Sequence, residues 1–208
     1  PLPKNLQTLC NRVKEEKADL GIAVDPDVDR LVFVCEDGSF FGEEYTIVAI
    51  SKYVLQKNSN TSVVSNLSTT KAVMDVAKEL KALHFESAVG EVNVVELMKE
   101  KKSIIGGEGS GGIIFAPSHY GRDALVGIAL FLTYLAESNY TLTYLKSSLP
   151  FYSMEKEKIS IPNNFNFKQY INNQIQLCRE NNLDFLLIDG IKIYYDCGSW
   201  SHVRISNT

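Results

Sequence analysis

The spacing of apolar residues predicts helices interleaved with short strands over residues 1–150. Apolar positions three and four apart are typical of helices packed on a core, while short apolar runs bounded by turn residues are typical of buried strands. The predicted helices are residues 6–13, 43–54, 73–80, 94–101 and 123–136. The predicted strands are residues 19–24, 31–35, 61–67, 84–89 and 103–105. This alternation indicates the α/β fold class.

Turn and capping residues refine these elements. The Asp-Gly pair at 37–38 predicts a tight hairpin turn after the second strand. We expect Ser68 or Thr69 to cap the third helix and Asp123 to cap the fifth. Arg122, directly before that last cap, is at best a minor candidate for binding a ligand.

The pattern changes after Pro150, where we place a domain boundary. Residues 152–161 alternate in the manner of an edge strand, and residues 162–166 form a linker. The apolar face of a predicted helix follows, formed by Phe167, Ile171, Ile175 and Cys178. Residues 185–195 and 200–205 are predicted to be paired strands, so this part of the chain has an α+β pattern.

Three aspartates follow the first predicted strand at alternate positions, in the segment Asp25-Pro-Asp-Val-Asp-Arg30. Carboxylates this close repel one another, so a fold rarely places them at the end of a buried strand without a compensating cation. All-oxygen ligands favour Mg²⁺ or Ca²⁺. An extended loop with this spacing would let Asp25, Asp27 and Asp29 reach one centre. A solvated acidic turn is the competing interpretation, which the preceding strand and the following arginine make less favourable.

Two other motifs with similar spacing give different hypotheses. An EF-hand loop requires glycine at its sixth position, where this chain has Arg30, and it requires flanking helices rather than strands. A haloacid-dehalogenase-type phosphatase would use Asp25 as its nucleophile and Asp27 beside it, although Asp29 occupies the position of a threonine or valine. The EF-hand is therefore excluded, and the phosphatase is kept as the second hypothesis.

The glycine-rich segment at residues 106–112 is the second chemical feature of the chain. It matches neither a dinucleotide-binding fingerprint nor a phosphate-binding loop of the Walker type. Glu108 and Ser110 lie between glycines, so a hydrogen-bond acceptor and a hydroxyl are carried by a backbone that a ligand can approach closely. Such a segment suits a ligand rich in hydroxyls, with an ordinary glycine turn as the alternative.

Composition narrows the functional classes. The net charge of −4 argues against general nucleic-acid binding. Four cysteines without a Cys-x-x-Cys pair indicate free thiols in a reducing cytoplasm. The longest apolar run, around residues 124–132, is too short to span a bilayer. We therefore expect neither a nucleic-acid nor a membrane partner. The chain begins at Pro1 without an initiator methionine, as we expect of an excised or processed piece.

Three segments, in order, resemble signatures of the α-D-phosphohexomutase family. Residues 25–30 resemble its Asp-Gly-Asp-x-Asp-Arg magnesium loop, with Pro26 in place of glycine. Residues 107–111 resemble its Gly-Glu-x-Ser-Gly sugar loop, and residues 204–208 resemble its Arg-x-Ser-Asn-Thr phosphate loop. The resemblance extends over essentially the whole chain, with phosphoglucosamine mutase-like members of bacterial type the nearest.

The resemblance implies mixed-sheet α/β/α domains followed by a partial α+β domain. Residues 1–42 would end a second domain, residues 43–150 would form a third, and residues 151–208 would begin a fourth. The implied reaction moves a phosphoryl group between C6 and C1 of a hexose phosphate through a bisphosphate intermediate, a phosphoserine and Mg²⁺. The phosphoserine loop belongs to a first domain that these residues do not match, so we expect no mutase activity from this chain alone.

The resemblance also implies a role for particular residues. Mg²⁺ would be held by Asp25, Asp27 and Asp29, and Arg30 would contact the phosphoserine as the catalytic arginine. The residues implied to bind substrate are Glu108 and Ser110 at the sugar hydroxyls and Arg204, Ser206, Asn207 and Thr208 at the distal phosphate.

Two departures from the family pattern leave the substrate open. Gly112 replaces the histidine that often follows the sugar loop, and no basic residue follows the Val-Gly turn at residues 89–90. Glucosamine, mannose and glucose phosphates all stay open as substrates. A sugar-phosphate-binding module without catalysis is a third hypothesis.

Overall fold

Two units make up the chain, Pro1–Ser153 and Met154–Thr208. The structure is a computed structural model that describes residues 5–206. Within that range, no helix is both long enough and apolar enough to cross a membrane.

The first unit opens with a helix and an antiparallel hairpin. Helix α1 is Gln7–Glu16, strand β1 is Leu20–Val24 and strand β2 is Leu31–Cys35. Pairing ends at Val24 opposite Leu31, so residues 25–30 form the connection between the two strands. The aspartate segment is therefore the turn of a hairpin. After β2, Gly38 donates its N–H to the Cys35 carbonyl at 2.8 Å, which confirms the predicted tight turn.

A four-stranded mixed sheet forms the centre of this unit. Its elements are α2 Glu43–Lys57, β3 Ser62–Asn66, α3 Ala72–Glu79, β4 Leu83–Ser87, α4 Glu91–Lys101, β5 Ile105–Glu108, β6 Gly112–Phe115, α5 Ala124–Ser138 and α6 Leu142–Ser147. The strand order is β4-β3-β5-β6. Strand β3 is parallel to β4 and β5, whereas β6 is antiparallel to β5.

Helices cover both faces of the sheet. Successive residues of a strand point to opposite faces, and Val63 belongs to the larger core with α2, α3 and α5. Its neighbour Val64 belongs to a second core with Val94 and Met98 of α4. All five residues of strand β3 are buried, as expected of a strand covered on both faces, although only Val63 and Val64 of the five are apolar. The mixed-sheet α/β/α class predicted from the sequence is confirmed.

Three phenylalanines join the hairpin to the helices of the sheet. The rings of Phe33 in β2 and Phe131 in α5 are stacked with centroids 3.7 Å apart. Phe41 meets both edge-on, at 6.3 Å from Phe33 and 5.4 Å from Phe131. All three side chains are fully buried, and burial of one such side chain is worth about 1.5–3 kcal/mol. The turn that carries the aspartates is therefore anchored to the main core.

The second unit is a small α+β unit. Helix α7 is Phe167–Glu180, and strands β7 Phe185–Leu186, β8 Ile191–Tyr194 and β9 Trp200–Val203 follow. The three strands form one antiparallel sheet in the order β7-β8-β9. Cys178 of the helix packs on Ile191 and Ile193 of the central strand. Ile171, Ile175 and Cys178 of the predicted apolar face belong to this core, whereas Phe167 stacks on Tyr170.

The predicted edge strand at residues 152–161 is wrong. No strand occurs in those residues, which the structure describes in full. Tyr152 donates its backbone N–H to the hydroxyl of Tyr45 at 2.8 Å rather than to a neighbouring strand. Ile159, on the apolar side of the alternation, is 80% exposed. Alternation predicts a strand only where another strand is available to pair with it.

Local hydrogen bonds shift other predicted boundaries. Helix α3 is preceded by Lys71 rather than by a Ser68 or Thr69 cap. Those two residues donate instead to Asn66 Oδ1, each at 3.0 Å, which makes a separate turn.

The strand predicted at residues 103–105 begins later in the structure, as β5. The predicted strand at 185–195 is two strands, separated at a turn in which Gly190 has φ +70°. The Asp123 cap is confirmed, because its side chain accepts from two backbone N–H groups of α5.

Glu36 caps helix α6 from a distance, a contact that the sequence did not indicate. Its Oε2 accepts backbone N–H groups of Leu142 at 3.1 Å and Thr143 at 3.2 Å, and its Oε1 accepts the Thr143 hydroxyl. Burial alone would raise the pKa of Glu36, but these hydrogen bonds outweigh burial and hold the pKa below its ordinary value.

We predict that Glu36→Gln lowers the free energy of unfolding by about 1–2 kcal/mol at pH 7, because one charged acceptor of α6 is lost. The pKa of Glu36 is lower in the folded protein than in the unfolded chain, where it is about 4.3. Ionised Glu36 therefore stabilises the fold above that pH, and this contribution is lost as the pH falls through the pKa of the folded protein. The difference between the two proteins should therefore shrink below about pH 4. Urea denaturation from pH 3 to 7 measures it, with the exposed Glu96→Gln as control. An equal loss in the control would contradict the capping role.

Candidate functional site

The aspartate segment, residues 25–30, is a compact turn rather than the extended loop we expected. Val28 has a left-handed backbone with φ +58° and donates its N–H to the Asp25 carbonyl at 3.0 Å. Asp25 Oδ1 accepts the N–H groups of Asp29 at 3.1 Å and Arg30 at 3.0 Å. One oxygen each from Asp25, Asp27 and Asp29 consequently lies within 4.8 Å of the others. The three carboxylates converge as predicted, but a compact turn brings them together rather than an extended loop.

Arg30 lies against the same cluster. Its Nε donates to Asp25 Oδ2 at 2.6 Å and is 3.5 Å from Asp29 Oδ1. This hydrogen bond to Asp25 is the main reason that the pKa of Arg30 is raised. The side chain is still 41% exposed. Arg30 therefore neutralises part of the cluster while presenting part of its guanidinium outward.

Asp25 and Asp29 differ in protonation behaviour. Burial would raise the pKa of Asp25, but the hydrogen bonds from Arg30 and Asp29 outweigh burial and hold it well below its ordinary value. The pKa of Asp29 is raised, first by burial and then by its contact with Asp25, against the attraction of Arg122. Carboxylates that share a site commonly have pKa values shifted apart in this way, and such shifts are frequent at functional sites.

The glycine-rich segment forms the end of the β5–β6 hairpin. Glu108 is buried, with only 8% of its side chain exposed. Its Oε1 accepts from Asn66 Nδ2 at 2.7 Å and from the Gly90 N–H at 3.2 Å. Ser110 lies half-buried at the tip of the hairpin. The two predicted sugar-binding residues thus have different settings, one inside a hydrogen-bond network and one at the rim.

Backbone hydrogen bonds join the aspartate turn to the glycine-rich hairpin. Leu31 donates its N–H to the Gly111 carbonyl at 3.0 Å, and Arg30 forms an isolated antiparallel bridge with Gly112. The first residue of α5, Ala124, donates to the Val28 carbonyl at 3.1 Å. The predicted metal and sugar residues therefore belong to one surface of the first unit.

Arg122 is the residue of this surface that the sequence analysis underrated. Its Nη1 donates to Glu108 Oε2 at 2.7 Å, its Nη2 pairs with Asp29 Oδ2, and its Nε lies 3.3 Å from Glu91 Oε2. Its backbone N–H also donates to Glu91 Oε1 at 2.9 Å. One side chain therefore contacts both loops and the start of α4. The only signal in the sequence was its place directly before the Asp123 cap.

The predicted phosphate residues belong to the second unit. Arg204 follows β9, with its Nε 3.9 Å from Asp189 Oδ2 and its Nη1 donating to the Ile205 carbonyl at 3.2 Å. Ser206 is exposed. Asn207 and Thr208 lie outside the described residues. The roles given to these four residues stay predictions.

The family models match two parts of this chain. The alpha/beta/alpha domain III of phosphoglucomutase/phosphomannomutase matches residues 42–151, and domain II of the same family matches residues 1–38. The chain therefore belongs to the phosphoglucomutase/phosphomannomutase family. This confirms the resemblance to the α-D-phosphohexomutases.

Curated relatives have names of the same family, and a solved structure shares the fold. A "Phosphoglucomutase/phosphomannomutase" of Thermococcus kodakarensis is 31% identical over 100% of this chain and 45% of its own length. A "Probable phosphoglucosamine mutase" of Methanopyrus kandleri is 30% identical over 100% of this chain and 46% of its own length. The chain thus spans under half the length of these relatives. A family structure from Burkholderia thailandensis is similar in fold, with a TM-score of 0.77 and 24% identity over 94% of this chain and 42% of that one.

We predict that Gly111→Ala lowers the free energy of unfolding by about 2 kcal/mol or more. Gly111 has φ +90°, and a Cβ there would collide with the Leu31 carbonyl oxygen, which is backbone and cannot move aside. Urea denaturation measures the loss.

Gly121→Ala is the matched control for this prediction. Its φ is not left-handed, and its nearest neighbour would be the His119 side chain at 3.1 Å. We expect a change within about 0.5 kcal/mol there. Similar stability of both variants would contradict the close approach of β2 to the glycine-rich hairpin.

Proposed function

We propose that this chain supplies the metal-binding and sugar-binding loops of a phosphohexomutase, which interconverts hexose 6-phosphates and hexose 1-phosphates. The observation that carries the proposal is the convergence of Asp25, Asp27 and Asp29 beside the glycine-rich hairpin. Family membership supports the reaction class. The chain spans under half the length of its relatives. The activity is therefore proposed for the whole protein and not for this chain alone.

The three aspartates fit a magnesium ion. Their oxygens are hard ligands, and one oxygen from each lies within 4.8 Å of the others. Asp29 Oδ1 is buried and, among the described residues, has no hydrogen-bond partner, so an acceptor there is left for a cation. Mg²⁺ bound here would neutralise charge that develops on the transferred phosphoryl group.

The remaining residues have complementary roles in this proposal. The exposed part of Arg30 would donate to a phosphoserine oxygen supplied by another domain, while Asp25 fixes its orientation. Ser110, at the rim, would hydrogen-bond a sugar hydroxyl directly. Glu108 would do so by exchanging one of its internal donors, since both of its oxygens already accept hydrogen bonds. Arg204 and Ser206, with Asn207 and Thr208, would hold the distal phosphate.

The substrate is proposed as a class. Relatives named for glucosamine, glucose and mannose phosphates all match this chain, so we propose a hexose phosphate substrate with a hexose bisphosphate intermediate. All four cysteines are free thiols, which supports a reducing, cytoplasmic location.

The phosphatase hypothesis has less support. Asp25 would be its nucleophile, yet both oxygens of Asp25 accept hydrogen bonds from Arg30 or its backbone. The segment is also a turn between antiparallel strands, and the family models that match belong to mutases. A non-catalytic sugar-phosphate-binding module is distinguished by assay of the full-length protein. Binding of sugar phosphates without interconversion would favour it.

We predict weak Mg²⁺ binding by this chain, reduced at least about tenfold by Asp27→Asn, since a tenfold change is 1.4 kcal/mol. Asp27 is exposed, so the substitution should not disturb the fold. Calorimetric titration compares it with Asp19→Asn, which removes the same charge from an exposed position outside the turn. Identical isotherms for the wild-type chain and Asp27→Asn would reject the metal site.

We predict no phosphomutase activity from the isolated chain, because no serine here occupies a matching phosphoserine loop and the nucleophile must lie in reach of the sugar phosphate. A coupled assay on glucosamine, mannose and glucose 6-phosphates with a bisphosphate activator tests this. Adding an N-terminal domain with the serine loop and the remaining C-terminal segment should restore turnover. Aryl-phosphate hydrolysis that is abolished by Asp25→Asn would instead favour the phosphatase.

A further inference from the structure

Arg122 shares one of the carboxylates that would hold the metal. Its Nη2 pairs with Asp29 Oδ2, while its other two nitrogens face Glu108 at 2.7 Å and Glu91 at 3.3 Å. Only 21% of the Arg122 side chain is exposed. A largely buried guanidinium needs such partners, because an unpaired buried charge is costly.

Gly112 provides the space through which the Arg122 side chain passes. A Cβ at position 112 would collide with Cδ of Arg122 and lie 3.2 Å from its Cγ. Any other residue at this position would therefore displace the arginine. The glycine at the start of β6 and the arginine ten positions later act as a pair.

The Nε of Arg122 and Oδ1 of Asp29 are both buried without a hydrogen-bond partner among the residues described. Two such atoms on side chains that already pair with each other indicate an arrangement that is not fully satisfied. A second cation at Asp29 would satisfy the carboxylate and weaken its hold on the guanidinium.

We propose that Arg122 is an internal counter-ion that competes with the divalent cation for Asp29 and couples cation binding to the sugar loop through Glu108. The inference rests on the metal site of the proposed function. When a cation occupies Asp29, repulsion between positive charges moves the guanidinium away from it. Glu108 and Glu91 still hold Arg122, so the displacement is passed to the end of β5.

Competition between Arg122 and the cation predicts the direction in which Mg²⁺ affinity changes when the arginine is removed. Removal of the competing positive charge should strengthen Mg²⁺ binding on the order of tenfold at low ionic strength. The gain should decrease as salt screens the charges. A residue that merely supported the fold would have the opposite effect, because its loss would disorder the aspartates and weaken binding.

Titration calorimetry with Mg²⁺ tests the proposal on the 208-residue chain. We expect Arg122→Gln to bind Mg²⁺ about tenfold more tightly than wild type. Gly112→Ala, which leaves the arginine present but displaced, should also bind more tightly. Arg12→Gln removes the same charge from an exposed ion pair on α1 and should not change affinity. Circular dichroism establishes whether each variant is folded. If Arg122→Gln does not fold, the Mg²⁺ affinity of Gly112→Ala decides the test.

Hydrogen exchange of the amides at residues 107–112 gives a readout of the coupling itself. Mg²⁺ should change their exchange in the wild type and in Arg12→Gln, and should leave it unchanged in Arg122→Gln. Unchanged or weaker Mg²⁺ affinity in Arg122→Gln, with binding still reduced in Asp27→Asn, would overturn the counter-ion role while keeping the metal site. Absence of Mg²⁺ binding in every protein would reject the metal site of the proposed function.

Discussion

The pairing of Arg122 with carboxylates from three segments is the interaction on which the arrangement of the two loops depends. The carboxylates of this surface are Asp25, Asp27, Asp29, Glu91 and Glu108. Within the described residues, Arg30 and Arg122 are paired with them, and each contacts more than one. Carboxylates that are partly buried and this close repel strongly. The loops can therefore approach only because cations are shared between them.

Ion pairs alone do not hold this surface together, since desolvation offsets much of their attraction. The free energy that stabilises this part of the fold comes from apolar burial nearby, where Phe33 of the hairpin stacks on Phe131 of α5. Backbone bonds from Leu31 to Gly111 and from Ala124 to Val28 then fix the separation of the segments. Packing sets the distance between the loops, and the charges must be balanced within it.

The elements of the first unit were predictable because their signals are local. Periodicity locates its helices, and a charged turn after a strand locates the aspartates. Contacts between distant segments carry no such signal. Glu36 caps a helix more than a hundred residues later. Arg122 meets Asp29 at the place where an isolated bridge joins Arg30 to Gly112. The error at residues 152–161 has the same origin, since a strand is defined by a partner that its own sequence does not specify.

The geometry at Arg122 also explains why an arginine, rather than a lysine, occupies this position. Each of its three nitrogens faces a carboxylate from a different segment, at residues 29, 91 and 108. The planar fork of a guanidinium spans such a set, whereas an ammonium group is a single point of charge. This position of Arg122 also requires a glycine at residue 112, because a Cβ there would collide with Cδ of the arginine. A glycine in a strand and a buried cation each break a local rule of stability. Each is accommodated by the other, because the missing side chain of Gly112 makes room for Arg122 and three carboxylates pair with its charge.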